Sequence, residues 1–211
     1  MNMEKFTPMF PLKIVAFPGE KINLHIFEPR YVQLITDVLE DEHTFGIPVF
    51  IKQISDHGTM VRIEKIIKRY EDGTMDLTAV GLSVFKIKQF VNPLVGKLYG
   101  GALIEPVANI QDGESGLKEK IKYELQYLLS NANIHREVII SDNISTFRVA
   151  HIIGMTLEEE YQLLKMNHEK DRQEYVLHHM EKIMPEVDRL KEIKRRISGN
   201  GHFKKMDSLD Y

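Results

Sequence analysis

Short apolar runs separated by Pro and Gly open the chain. Residues 12–17 and 22–27 are two such runs, and Pro18, Gly19 and Glu20 lie between them. Pro fixes φ and Gly tolerates positive φ, so a Pro-Gly pair between two apolar runs is typical of a turn. The pattern therefore predicts a strand, a turn and a second strand.

A helix is predicted directly after the second run. Pro29 suits the first helical position because it has no N–H to lose, and Glu28 would lie at the positive end of the helix dipole. Apolar residues then recur at i, i+3, i+4 and i+7, which is the spacing of one helix face. These residues are Tyr31, Leu34, Ile35 and Val38.

Alternating apolar and polar residues predict further strands. Residues 44–51 alternate around Pro48, and because Pro cannot donate to a ladder we expect this strand to be irregular or near a sheet edge. Residues 59–70 have the period of a half-buried strand. Asp72 and Gly73 follow, and they predict a hairpin turn.

The strand that returns from this hairpin changes phase. Its apolar residues have odd numbers up to Ala79 and even numbers from Val80, and the change lies next to Gly81. A shift of one residue moves every side chain to the opposite face of a sheet, so we predict a bulge or a barrel corner near Gly81. A last apolar run, 100–107, completes a region that we interpret as a small curved sheet or barrel.

The second half of the chain has helical spacing. Residues 108–116, which contain Asp, Gly and Ser, are interpreted as a linker. Thr156 and Glu159 have the spacing of a capping box, so a helix should begin at Leu157 and run to about Met166.

A long helix is predicted from an approximate 4-3 repeat of apolar residues after Glu169. Pro185 should kink or split this helix, because Pro removes a backbone donor and clashes with the preceding turn. The patterns together divide the chain into a β-rich domain at 1–108, a helical bundle at 115–198 and a disordered tail at 199–211.

Composition narrows the class of protein. Hydrophobic residues make up 43% and charged residues 28% of the 211 residues, and no run approaches the roughly 18 apolar residues of a membrane span. The N-terminus is a poor secretory signal, so we expect a cytoplasmic protein without a membrane contact. The absence of Cys excludes disulfides and thiolate metal sites, and a net charge of −3 gives no general attraction to nucleic acid.

The opening residues resemble a known family. Phe-Pro-Leu, then Phe-Pro-Gly, then Leu24 and the run from Ile26 to Tyr31 are similar to the start of the Lon N-terminal, or Lon substrate-binding, domain. We call the following residues the family motif and expect a structural role for them: Phe10, Pro11, Phe17, Pro18, Gly19, Phe27, Glu28, Pro29, Arg30 and Tyr31.

The resemblance implies an α+β fold, in which a PUA-like β pseudo-barrel is followed by a C-terminal α-helical bundle. It also implies recognition of protein substrates or partners. It does not imply proteolysis, because in Lon proteases the ATPase and the Ser/Lys protease domains lie beyond this module.

Candidate chemistry is sparse in the sequence. No Gly-x-x-x-x-Gly-Lys-[Ser/Thr] loop is present to cradle a phosphate, and no serine lies in a Gly-x-Ser-x-Gly neighbourhood. Ser130, Ser141 and Ser145 are interpreted as capping and loop residues. Glu174, His178 and Glu181 could share one helix face, but we favour a solvated charged face over a metal site. We therefore predict no catalytic residue, no cofactor and no metal.

The leading hypothesis is a non-enzymatic module that binds unfolded polypeptide or a protein partner, as an adaptor or a substrate selector. The alternatives are a minimal peptidase related to Lon and a PUA-like RNA-binding protein, and self-association through the long helix is a third. RNA binding is not favoured, because the basic residues lack the interleaved aromatic residues on which bases stack.

An apolar loop, residues 90–99, is the predicted contact surface. Solvated loops are usually polar. This loop is therefore either tucked over the barrel mouth as a plug, which we favour, or exposed as a patch for a hydrophobic partner segment. The residues that we assign to partner binding are Phe90, Leu94, Leu98 and Tyr99.

Overall fold

The computed structural model describes residues 5–131 and 145–200. The chain divides into two compact units. Of the described residues, the strand unit contains 5–111 and 154–169, and the helix unit contains 112–131, 145–153 and 170–200. The strand unit thus includes a segment that lies well beyond the predicted linker. The predicted tail lies outside the described residues from residue 201 onward.

Eleven elements are formed by the described residues. The strand unit contains β1 (Thr7–Met9), β2 (Lys21–Ile26), α1 (Pro29–Leu39), β3 (Thr44–Phe50), β4 (Ile54–Arg69), β5 (Met75–Val91) and β6 (Gly100–Pro106). The strand unit also contains α4 (Leu157–Leu164). The other helices are α2 (Ser115–Asn131), α3 (Thr146–Ala150) and α5 (Glu169–Asn200). None of the described helices combines the length and the apolarity that crossing a membrane requires.

The six strands form one sheet in the order β2-β5-β4-β3-β1-β6, and an additional pairing of β5 with β6 closes part of it into a ring. All neighbours are antiparallel except β1 and β3. β5 pairs with two strands along one edge. Its first residues pair with β2 and its last residues pair with β6. β2 therefore lies outside the ring, as an arm on the first half of β5.

A bulge separates the two halves of β5. The register between β4 and β5 shifts so that Val61 pairs with Gly81 and Met60 with Ser83, which leaves Leu82 unpaired and 41% exposed. The predicted bulge near Gly81 is confirmed, but Leu82 is not on the buried face that the pattern assigned to it. Bulges of this kind increase local twist, which suits a sheet that closes on itself.

The Pro-Gly turn packs directly against this bulge. Glu20 N–H donates to the carbonyl of Phe17 at 3.1 Å, and Gly19 adopts a φ of +80°. Gly19 N–H donates to the Gly81 carbonyl, and Gly81 N–H donates to the Glu20 carbonyl, both at 2.9 Å. A Cβ on Gly81 would lie 2.1 Å from the carbonyl oxygen of Phe17. Only glycine permits so close an approach of the two backbones.

The main core lies between α1 and the sheet. The predicted stripe of α1 is buried there, with Leu34 and Ile35 fully enclosed. The inward residues of β2, Ile22, Leu24 and Ile26, complete this core from the arm. β3 is not an edge strand as Pro48 suggested, because it pairs with both β4 and β1. The irregularity is present, as a register shift between Pro48 and Phe50.

α4 belongs to the strand unit through a specific contact. Thr156 and Glu159 form the predicted capping box, and the helix begins at Leu157. The hydroxyl of Tyr161 donates to the carboxylate of Asp56, the third residue of β4. Hydrogen bonds from Tyr161 and His57 lower the pKa of Asp56 to about 2. Burial, and then this hydrogen bond, raise the pKa of Tyr161 to about 12.

The helix unit pairs α2 with the first part of α5. Lys120 and Glu181 form an ion pair at 3.0 Å, and the hydroxyl of Tyr127 donates to Asp188. α5 runs without interruption through Pro185, so the predicted split does not occur there. The apolar repeat thus continues on a single helix.

The bulge contact should be essential for stability. We expect Gly81→Ala to lower the free energy of unfolding by about 2 kcal/mol or more, because the new methyl group meets backbone that cannot move aside. Gly116→Ala is the matched control, since Gly116 lies in α2 with nothing within 4 Å of an added Cβ. Helix propensity predicts that this control gains up to about 1 kcal/mol. Urea unfolding measures the free energy of unfolding of both variants. A Gly81→Ala protein as stable as the wild type would show that the close approach of the two backbones does not require glycine.

The Tyr161 contact should be pH-dependent. Tyr161→Phe should lower the free energy of unfolding at pH 7 by about 1 kcal/mol, because the hydrogen bond to Asp56 is lost. A carboxylate with a lowered pKa adds stability above its unfolded pKa, about 4, and loses it as the pH falls toward the folded value of about 2. The difference between the two proteins should therefore shrink across that range in urea unfolding. A difference independent of pH would show that the ionised Asp56 is not the partner that matters.

Candidate functional site

A groove of about 400 Å³ opens on the strand unit next to the family motif. Half of the motif residues line it, and they come from the segment before β2 and from the start of α1. These residues are Phe10, Pro11, Glu28, Arg30 and Tyr31. Further lining residues are Phe50 at the end of β3, Ile54 at the start of β4 and Phe90 near the end of β5.

One wall of the groove is an extended segment beside β3. Phe10 N–H donates to the Gly46 carbonyl at 2.8 Å, and Leu12 N–H donates to the Pro48 carbonyl at 3.2 Å. Pro11 lies between these two donors, where its missing N–H costs no ladder bond. The segment is therefore held to β3 like a short strand, and Phe10, Pro11 and Leu12 all line the groove.

The floor of the groove is aromatic. The rings of Phe10 and Tyr31 lie 4.0 Å apart, and Phe10 also approaches Phe45 at 6.2 Å. Phe10 is 6% exposed and Tyr31 is 8% exposed, and both belong to the main core as well as lining the groove. Burial raises the pKa of the Tyr31 hydroxyl. An uncharged apolar floor of this kind accepts an apolar side chain.

Charged residues form the rim. Two nitrogens of the Arg30 guanidinium, Nε and Nη2, contact the same Glu28 oxygen, Oε2, at 2.8 and 2.6 Å. The guanidinium lies 4.5 Å from the centre of the Tyr31 ring. Glu28 is the N-cap residue of α1, but its side chain makes no capping hydrogen bond and pairs with Arg30 instead. Lys13 also lines the groove, with its ammonium 6.0 Å from the centre of the Phe50 ring.

The loop between β5 and β6 is held to α1. Lys97 Nζ and the Tyr99 hydroxyl both donate to Asp37 at 2.7 Å, and Leu98 N–H donates to the Gln33 side chain at 2.7 Å. Burial alone would raise the pKa of Asp37, yet the hydrogen bonds from Lys97 and Tyr99 bring it below its usual value. Burial, and then the bond to Asp37, raise the pKa of Tyr99. The base of the loop is therefore well anchored.

The loop residues assigned to partner binding occupy different environments. Tyr99 is 3% exposed, and Leu94 packs against the main core. Phe90 is partly buried and lines the groove. Only Leu98, at 59% exposure, faces solvent, together with the fully exposed Val95. The loop is thus part plug and part exposed tip, which the sequence pattern could not separate.

The other five motif residues do not line the groove. Phe17, Pro18 and Gly19 build the turn against the bulge, and Pro29 is the first residue of α1. Phe27 is 63% exposed and its ring lies 5.8 Å from that of His25. Within residues 5–131 and 145–200, no group of three or more His, Asp or Glu side chains could hold a metal ion.

Comparison with known proteins assigns the family. The sequence model of the ATP-dependent protease La (LON) substrate-binding domain matches residues 7–182. The chain belongs to this family. All ten residues of the family motif lie within the matched range, so the resemblance seen in the sequence is confirmed.

Solved structures of the Lon N-terminal domain have the same fold. A Lon N-terminal domain protein from Xanthomonas campestris superimposes with a TM-score of 0.67 at 22% identity, covering 82% of this chain and 98% of that one. The N-terminal domain of Lon protease from the Mycobacterium avium complex gives a TM-score of 0.66 at 14% identity, covering 84% and 98%. The predicted α+β fold, a pseudo-barrel with C-terminal helices, is confirmed by this likeness.

Two loop leucines should respond differently to the same change. Leu94→Ser should lower the free energy of unfolding by about 1–3 kcal/mol, because an apolar side chain leaves the core. Leu98→Ser is the control from the exposed tip and should stay within about 0.5 kcal/mol of the wild type. Thermal and urea unfolding measure both. Equal effects of the two substitutions would mean that the loop is not anchored as described.

Proposed function

We propose that this protein is a non-enzymatic module of the cytoplasm that binds unfolded polypeptide, as an adaptor or a substrate selector. The groove is the contact site, and it takes a large apolar side chain of the bound segment. The observation that carries the proposal is that half of the family motif converges on one apolar groove, in a family that is described by substrate binding.

The shape and chemistry of the groove support this role. Its aromatic floor is buried beneath the surface, so binding requires little rearrangement of the protein. Arg30 is already neutralised by Glu28, which leaves Lys13 as the cation available to a carbonyl or carboxylate of the bound segment. An apolar pocket with a few rim charges selects a class of side chain and not a particular sequence.

Energetics limit what one groove can achieve. Burying one large aromatic side chain removes about 150–250 Å² from water, which at about 25 cal/mol per Å² gives roughly 4–6 kcal/mol. Association costs at least about 4 kcal/mol of this in lost freedom. The groove alone therefore binds weakly, and a polypeptide bound more tightly must make contacts outside it.

The groove is tested with a polypeptide that cannot fold. Reduced, carboxymethylated α-lactalbumin carrying a fluorescent label is titrated with the protein, and Kd is measured by fluorescence polarisation. Phe50→Ala with Ile54→Ala should weaken binding by about ten-fold, which corresponds to about 1.4 kcal/mol of lost apolar contact. Both residues line the groove and are partly exposed, so the fold should tolerate the change.

Leu82→Ala is the matched control. It truncates a more exposed apolar side chain of the same unit that does not line the groove, and it should leave Kd unchanged. Groove variants that melt like the wild type and bind equally well would overturn the assignment of the groove.

The absence of catalysis is a separate expectation. Purified protein incubated with casein, with and without ATP, should yield no fragments. Cleavage that a single Ser→Ala substitution abolishes would support the peptidase alternative instead.

A further inference from the structure

β2 has one open edge. It pairs with β5 at six consecutive positions, from Lys21 with Val80 to Ile26 with Met75, without a register shift. Among the strands that the structure describes, β5 is its sole neighbour. β6 pairs with the same edge of β5 further along and closes the ring without β2. The outer edge of the arm is therefore a regular strand edge without a strand partner in the described part of the chain.

The open edge exposes the backbone of alternate residues. Gly81 N–H donates to the Glu20 carbonyl, so Glu20 is a hydrogen-bonded position of the antiparallel pair. Hydrogen-bonded and non-hydrogen-bonded positions alternate along such a pair. The N–H and C=O groups of Ile22, Leu24 and Ile26 thus point toward β5. Those of Lys21, Asn23 and His25 point outward.

Side-chain contacts agree with this register and leave the edge clear. Non-hydrogen-bonded pairs bring opposing side chains close together. Asn23 accepts a hydrogen bond from Thr78 at 2.9 Å, and His25 contacts Asp76 at 2.6 Å. Lys21 reaches across the sheet to Glu64 at 2.8 Å. The side chains of Lys21, Asn23 and His25 therefore lie over the sheet and away from the open edge, where only their backbone groups point.

The second half of β4 also has one edge without a described strand partner. Beyond Ile63 it has no described strand on its far side, but its register with β5 shifts twice there. This stretch also carries Lys65, Lys68 and Arg69. Bulges and cations are the usual devices that prevent strand addition at an edge. β2 lacks the bulges, and its basic side chains are engaged elsewhere.

We propose that the outer edge of β2 binds an extended segment of unfolded polypeptide as an added strand. Three outward N–H and three outward C=O groups recognise the main chain, which every sequence shares. The inference rests on the proposed function and extends it, since it supplies the contacts that the groove alone lacks. β2 ends only two residues before Glu28 at the groove rim, so one segment can engage both.

A second copy of the chain is a less suitable occupant. Antiparallel self-pairing that uses all three outward positions would set Lys21 opposite His25 of the other copy. Two basic side chains directly opposite each other disfavour pairing. An unfolded segment can avoid placing basic side chains opposite Lys21 and His25, because its register along the edge can shift.

Two substitutions at one position test the main-chain contact. Asn23→Pro removes an outward N–H that the ladder with β5 does not use, and Asn23→Ala removes the same side chain but keeps that N–H. With labelled, reduced and carboxymethylated α-lactalbumin, Asn23→Pro should weaken binding about five-fold or more, and Asn23→Ala should stay within about two-fold of the wild type. Circular dichroism and melting confirm that both variants fold.

Amide hydrogen exchange of the full-length wild type provides an independent measurement. On addition of the same unlabelled probe, the amides of Lys21, Asn23 and His25 should become protected. Those of Ile22, Leu24 and Ile26 should exchange slowly from the start, because they already bond to β5. This measurement decides the matter if Asn23→Pro does not fold.

Each outcome separates the inference from the proposed function. Loss of binding in the groove variants, with Asn23→Pro unaffected and no new protection on β2, overturns the added strand and leaves the groove in place. A wild type that does not bind the probe overturns both. Protection of β2 that rises with protein concentration in the absence of probe identifies a second copy as the occupant, and it also overturns the inference.

Discussion

The fold depends on one close approach of two backbones. β5 can pair with β2 along its first half and with β6 along its second half because the chain is bulged at Gly81, where the Phe17 carbonyl occupies the space of a side chain. This contact fixes where the arm ends and the ring begins. It also fixes the segment that follows β1, which forms one wall of the groove. The apolar floor and the open strand edge are thus consequences of the same local geometry.

Local patterns were predicted well because their causes are local. The capping box at Thr156, the start of α1 at Pro29 and the bulge at Gly81 depend on a few neighbouring residues, and all three are present. Leu82 was misassigned because a bulge lets one apolar side chain leave the core, which alternation alone does not reveal. Pro48 suggested an edge, yet β3 is internal because the irregular end of the strand accommodates the missing donor.

The functional geometry depends on contacts between distant residues, and the sequence could not supply them. Asp56 and Tyr161 are 105 positions apart, so the place of α4 in the strand unit was not foreseen. The family motif was expected to be structural, and residues such as Phe17 and Gly19 fit that role. Half of the family motif lines a groove because the fold brings α1 and the segment before β2 together, and this contact has no signal in the local sequence pattern. Aromatic residues next to Pro were the hint that could have indicated it.

The proposed binding of unfolded polypeptide in the groove of the family motif can be tested directly by NMR. Methyl-labelled protein is titrated with reduced, carboxymethylated α-lactalbumin. The largest shifts should occur at the methyl groups of Leu12 and Ile54, which line the groove, while those of Leu82 and of Ile121 in α2 stay in place. If the largest shifts instead occur at Val95 and Leu98, on the exposed loop tip, the groove is not the binding site.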